Sequence, residues 1–140
     1  LWLLLRNNPY FDEHFDGIVY AVCIGMGFAA IENILYLFDN YDSWISVGIA
    51  RALFAVPGHF LDAVIMGFYY SLWHFRILRN WQTCVLILVG PILAHGIYDS
   101  IVFSMNIDDS LSGILLLLFL LFLNKLKNIC KKHIADLVNH

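Results

Sequence analysis

Charged residues are scarce in this chain of 140 residues: Lys, Arg, Asp and Glu together make up 14% of it. Soluble domains carry about 25% charged residues, so an ordinary water-exposed surface is excluded. The three cysteines have no CxxC spacing, and neither a disulfide framework nor a thiolate metal site is expected. What the chain has instead is 61% hydrophobic residues and a mean hydropathy of +0.74, which indicate a membrane protein.

Four apolar segments reach or approach the length of about 20 residues that a membrane-spanning helix needs. They run from Gly17 to Phe38, from Ile45 to Trp73, from Gln82 to Met105 and from Ser110 to about Leu126. The sequence therefore predicts an all-α fold: one domain over residues 1–140, built as a polytopic transmembrane bundle of about four helices. Since the chain opens on an apolar run with neither Met nor a signal peptide, we expect an upstream helix outside this sequence.

The basic residues are placed asymmetrically. The loops at 39–44 and 106–109 contain Asp and no Lys or Arg. Seven of the eight basic residues fall on the other side of an alternating four-span topology: Arg6, Arg76, Arg79, Lys125, Lys127, Lys131 and Lys132. The positive-inside rule predicts a multi-pass protein of the cell membrane with both ends of this chain in the cytoplasm. The lysine cluster is expected to meet anionic lipid rather than nucleic acid.

Ionisable residues interrupt three of the four apolar segments. Such residues are costly in lipid and mark functional sites by default. They are Glu32 in the first segment, Arg51, His59 and Asp62 in the second, and His95 and Asp99 in the third. The spacings of three and four residues place His59 with Asp62, and His95 with Asp99, on shared helix faces. We expect Glu32, His59, His95 and Asp99 to converge on one polar site, and whether Arg51 and Asp62 belong to it stays open.

Two kinds of chemistry remain open for this site. Two imidazoles and a carboxylate are the ligand set of a catalytic zinc ion. A metal-free site could instead use Glu32 as general base and a histidine as donor to an oxyanion. Arg51 could reach the membrane interface, and Asp62 could pair with Arg51 or orient a neighbour. The other histidines, His14, His74, His133 and His140, fall in predicted loops or tails and are expected to be solvated.

Proline and glycine precede both site histidines, in Pro57-Gly58 and in Gly90-Pro91. A proline inside a helix removes a backbone hydrogen bond and bends the helix. We therefore expect two bent helices that open a wet cavity. Glu32 would lie about 9 Å from the outer end of its span, at 1.5 Å per residue, which places the site in the outer half of the bilayer.

Three ordered motifs together resemble those of the PrsW intramembrane proteases. The first is Gly27-Phe-Ala-Ala-Ile-Glu-Asn33 with Tyr36, the second runs from Arg51 to Pro57-Gly58-His59 with Gly67-Phe-Tyr-Tyr70, and the third is His95-Gly-Ile-Tyr-Asp99. The resemblance implies catalytic roles for Glu32, His59, His95 and Asp99. His59, His95 and Glu32 would be the ligands if Zn²⁺ or another divalent metal is bound. The family pattern also has an earlier pair of glutamates, which this sequence lacks, so the chain by itself is expected to be inactive.

The resemblance implies an intramembrane endopeptidase whose substrate is a single-span membrane protein, such as an anti-sigma factor. The depth of Glu32 and His95 predicts cleavage near the extracytoplasmic end of the substrate helix. Three alternatives remain: an inactive protease homologue, a non-enzymatic scaffold or transport subunit, and a haem protein with His59 and His95 as axial ligands.

Overall fold

The computed structural model describes residues 1–107 and 111–138. Its helices are α1 (Trp2–Leu5), α2 (Asp16–Asp39), α3 (Trp44–Ala50), α4 (Val56–His74), α5 (Trp81–Ile107) and α6 (Ser112–Val138). Within the described residues there is no β-strand, and four helical stretches are long and apolar enough to cross a bilayer. The predicted all-α polytopic bundle is confirmed.

The second spanning stretch is a composite of several helical segments over Tyr41–His74. A 3₁₀ turn (Tyr41–Ser43) leads into α3, and a π-helical turn (Arg51–Ala55) joins α3 to α4. Pro57 is the second residue of α4 and has no N–H to donate one turn back, so the regular hydrogen-bond ladder is interrupted at this point. The irregularity expected beside Pro57 thus takes the form of a π turn that begins at Arg51.

Helices α2 and α4 run antiparallel and approach each other closely through glycine. A methyl group on Gly25 would lie 2.8 Å from Cβ of Ala63, and one on Gly67 would lie 2.5 Å from the carbonyl oxygen of Gly17. Side chains at these glycines would push the two backbones apart, since helices in membranes associate by close packing of small residues. This contact fixes the residues of α2 at defined heights along α4.

Helix α4 is the centre of the bundle and contacts α2, α5 and α6. Val64 and Tyr70, near its middle, are almost fully buried. Gly90 of α5 packs against Ile65. The Cys130 thiol of α6 donates a hydrogen bond of 3.4 Å to the carbonyl oxygen of Leu61. Helix α5 continues through Pro91 without a break.

The last helix continues twelve residues past the predicted span end at Leu126. His133, expected to be solvated, is half-buried and stacks on Phe68 with ring centroids 3.8 Å apart, because the helical tail packs along α4. His74 likewise contacts Phe11, at 4.5 Å. Three predicted features lie wholly or partly outside the described residues. These are His140, the second half of the loop at 106–109, and the start of the fourth span at Ser110.

Candidate active site

Glu32 and His59 join the first two spanning stretches. The glutamate projects from α2 into its interface with α4, and its Oε2 lies 2.8 Å from Nε2 of His59. His59 is buried, whereas one quarter of the Glu32 side chain is exposed. The same Oε2 accepts a hydrogen bond from Nη2 of Arg51 at 2.5 Å. Oε1 has no hydrogen-bond partner among the described residues and remains available to a water molecule.

Arg51 is fixed by three contacts from α2. Besides Glu32, its Nε donates a hydrogen bond of 2.6 Å to Oδ1 of Asn33. Its guanidinium also lies 3.8 Å above the ring of Tyr36, a cation–π arrangement. The π turn therefore places Arg51 opposite one short stretch of α2, from Glu32 to Tyr36. The interfacial and Asp62-paired roles left open for Arg51 are therefore not the ones observed.

His95 lies between two carboxylates. Its Nδ1 is 3.1 Å from Oδ2 of Asp62 on α4, and its Nε2 is 3.4 Å from Oδ2 of Asp99 on its own helix. Asp62 is largely buried and Asp99 is mostly exposed. Each imidazole of the site therefore has a carboxylate partner, an arrangement that fixes ring orientation and tautomer.

Three side chains are close enough to form a metal site. One ligand atom from each of His59, Asp62 and His95 lies within 4.8 Å of the other two. Tetrahedral zinc with bonds of about 2.1 Å needs ligand atoms about 3.4 Å apart, so modest side-chain movement would complete the site. The two imidazoles and the buried carboxylate fit a divalent cation. The resemblance implied Glu32 as the carboxylate ligand. In the structure the carboxylate of this compact group is Asp62, and Glu32 contacts Nε2 of His59.

The four predicted catalytic residues line a single small cavity of about 20 Å³, which is room for about one water molecule. Its lining consists of Glu32, Arg51, Ala55, Gly58, His59, His95, Tyr98 and Asp99. A wider cleft of about 850 Å³ adjoins it and shares Arg51, Ala55, Tyr98 and Asp99. The cleft extends between α3 and the first part of α6, where Val47, Phe54 and Phe119 give it apolar walls. The polar cavity therefore opens into this cleft, toward the Asp39 end of α2.

The structure brings to the site three residues that were not predicted to be part of it. Asp62 was left as a possible orienting group, although its three-residue offset from His59 was the available signal. Asn33 directly follows Glu32, and its contact with Arg51 crosses between helices. Tyr98 lines both cavities and its ring lies 3.4 Å from where a methyl group on Gly58 would stand. Its place in His95-Gly-Ile-Tyr-Asp99 was the only hint.

Helices that bring three carboxylates to two imidazoles inside an apolar bundle define a polytopic membrane protein with a polar site between its helices. A family model described as "PrsW family intramembrane metalloprotease" matches residues 1–124. The chain belongs to this family.

Several curated relatives called "Protease PrsW" support the assignment. The chain is 41% identical to the Bacillus subtilis (strain 168) protein over 112 residues, which cover 75% of this chain and 49% of that protein. It is 36% identical to the Clostridioides difficile (strain 630) protein over 125 residues, or 87% of this chain and 51% of that protein. The chain spans about half the length of these relatives. No solved structure matches it significantly.

Proposed function

We propose that the whole protein is an intramembrane endopeptidase that cleaves a single-span membrane protein, such as an anti-sigma factor. One observation carries this proposal: Glu32, His59, His95 and Asp99, from three different helices, line one cavity inside an apolar bundle. Hydrolysis of a peptide bond within a membrane needs such a polar cavity, because lipid supplies neither water nor charge stabilisation. Membership of the PrsW family supports the same reaction class.

In the proposed reaction, Oε1 of Glu32 accepts a proton from water as the water oxygen attacks the scissile carbonyl carbon. A site histidine donates a hydrogen bond to the developing oxyanion. The carbon–nitrogen bond then breaks, and the proton taken from water passes to the leaving amine. Arg51 is a positioning residue in this scheme, since it holds Glu32 through Oε2 and is itself held by Asn33.

The donor set also supports a metal-assisted version of the reaction. His59, Asp62 and His95 would hold a divalent cation such as Zn²⁺. Bound there, the cation would supply a Lewis acid for the scissile carbonyl. In this version Asp99 retains its contact with His95, and Glu32 orients the His59 imidazole through Nε2. Both versions use the same cavity.

We propose cleavage near the extracytoplasmic end of the substrate helix. The positive-inside rule puts the Arg76 and Arg79 loop, and both ends of this chain, in the cytoplasm. The Asp39 end of α2 is then the outer end, and the wide cleft beside the cavity lies toward it. Its apolar walls suit an apolar substrate segment, while Arg51 and Asp99 mark where the cleft meets the polar cavity.

The test is cleavage of a candidate single-span protein by the full-length enzyme in liposomes. Wild type is compared with Glu32→Gln and His95→Ala, and with Leu117→Ala on the exposed side of α6 as a matched control. Loss of general base assistance should slow Glu32→Gln by about 10²–10⁴-fold. Mass spectrometry of the products locates the cut. Equal product from all variants, as expected for a scaffold, would refute the proposal, and a cut at the cytoplasmic end would refute the topology.

A further inference from the structure

The second half of α6 has two chemically different faces. Leu126, Cys130 and Leu137 are buried and belong to the core cluster centred on α4. The opposite face is exposed and mostly polar: it has Asn124, Lys125, Lys127, Asn128, Lys131, Lys132 and Asp136, with Ala135 among them and Ile129 and Val138 at its edges. Within residues 1–107 and 111–138, none of its four lysines forms an ion pair.

Contacts with α4 fix the depth of this polar face. Cys130 bonds to the carbonyl oxygen of Leu61, which lies thirteen residues, or about 20 Å, from the end of α4 at His74. Lys127 is three residues farther than Cys130 from that end of the bundle, and Lys131 is adjacent to Cys130. Both lysines therefore lie far from the helix ends that carry the basic loop.

About one helical turn nearer the His74 end than Leu61, and therefore closer to the membrane boundary, α5 still presents an apolar surface. Gly90 packs beside Ile65, and its neighbours Leu88 and Ile92 are 60% and 64% exposed. The boundary of the apolar layer is marked by Trp73, whose ring lies 5.4 Å from the Arg79 guanidinium. A lysine side chain reaches only about 6 Å, so Lys127 cannot extend its ammonium group to that boundary.

Charged groups at this depth need a polar environment, because the bilayer core does not solvate them. We propose that water covers the polar face of α6, in a cleft that runs from the cytoplasmic end of the bundle to the depth of Leu61. One side of the bundle then faces lipid through α5 while this side is wet. The cleft would end beside the residue that follows Leu61, the site carboxylate Asp62. The inference rests on helix contacts and does not require the chain to be a protease.

Thiol labelling in native membranes tests the proposal. Full-length protein with Cys23→Ala and Cys84→Ala, which removes the two exposed native thiols, receives Asn128→Cys or Lys131→Cys. A charged, membrane-impermeant maleimide is added to inside-out vesicles or to intact cells. We expect labelling in inside-out vesicles roughly ten or more times faster than for Leu88→Cys on α5, because thiolates form in water and not in lipid.

Two controls define the outcomes. Leu117→Cys, exposed in the apolar first half of α6, should remain as unreactive as Leu88→Cys. The native Cys130, only 2% exposed, should react only after denaturation in detergent. Unreactive thiols at 128 and 131 would overturn the proposal, since lipid or a packed protein segment would then cover the face. Labelling from intact cells alone would overturn the cytoplasmic opening, and a reactive native Cys130 would overturn the packing of α6 on α4.

Discussion

A methyl group at Gly25 should disturb the active site from outside it. The added Cβ would stand 2.8 Å from Cβ of Ala63, whereas ordinary contact begins at 3.4 Å, so α2 and α4 must separate by about 0.6 Å because packed interfaces have no slack. The Glu32–His59 contact of 2.8 Å crosses the same interface. Since a misplacement of about 1 Å can cost about a hundredfold in rate, we expect Gly25→Ala to lower kcat on the order of tenfold.

A second substitution should reverse this loss. Removing the opposing methyl group in Gly25→Ala/Ala63→Gly restores the space, so the double variant should recover most of the rate. Gly27→Ala on the same helix meets no atom within 4 Å and serves as the matched control. The assay is the initial cleavage rate of full-length protein in liposomes, normalised to folded enzyme. A wild-type rate for Gly25→Ala, or a double variant no faster than the single one, would refute the reasoning.

Three further predictions address positioning, metal binding and packing. Arg51→Leu should lower kcat about 10–100-fold with little change in KM. Arg51→Lys should recover part of the lost rate, because the lysine keeps the charge but loses the planar contact with Asn33. A change in KM without a change in kcat would contradict this prediction. If purified full-length protein contains zinc, elemental mass spectrometry should show it lost in Asp62→Asn and retained in Asp99→Asn, since only Asp62 belongs to the compact donor group. Phe68→Ala should lower the free energy of unfolding in mixed micelles by about 3 kcal/mol by removing a buried ring, whereas exposed Phe103→Ala should change it little.

Much of the candidate site could be predicted because intramembrane charge is rare. Glu32, His59, His95 and Asp99 stand out from apolar surroundings, and all four line the same cavity. The contact between His95 and Asp99 follows from helical geometry alone, since residues four apart share a face.

The choice of partners could not be predicted. From its spacing, Asp62 could have paired with His59, with Arg51 or with no residue at all. In the structure the Asp62 carboxylate contacts His95 on another helix. Arg51 meets Glu32 because a π turn at Arg51–Ala55 changes the direction in which its side chain leaves the helix. Pro57 predicted an irregular helix here, but no local pattern shows that it takes the form of a π turn or at what height α2 packs along α4.

The polar face of α6 shows the same division. The lysines and the apolar run before them predicted a helix that leaves the membrane near Leu126. The structure instead shows that this segment lies alongside the bundle, where Cys130 contacts Leu61 and His133 contacts Phe68. By itself the sequence determined which residues are too polar for lipid and which helix face each occupies, since both depend on chemistry and on a fixed helical repeat. Tertiary structure alone decided which of these groups meet, because that depends on how closely and at what height separate helices pack.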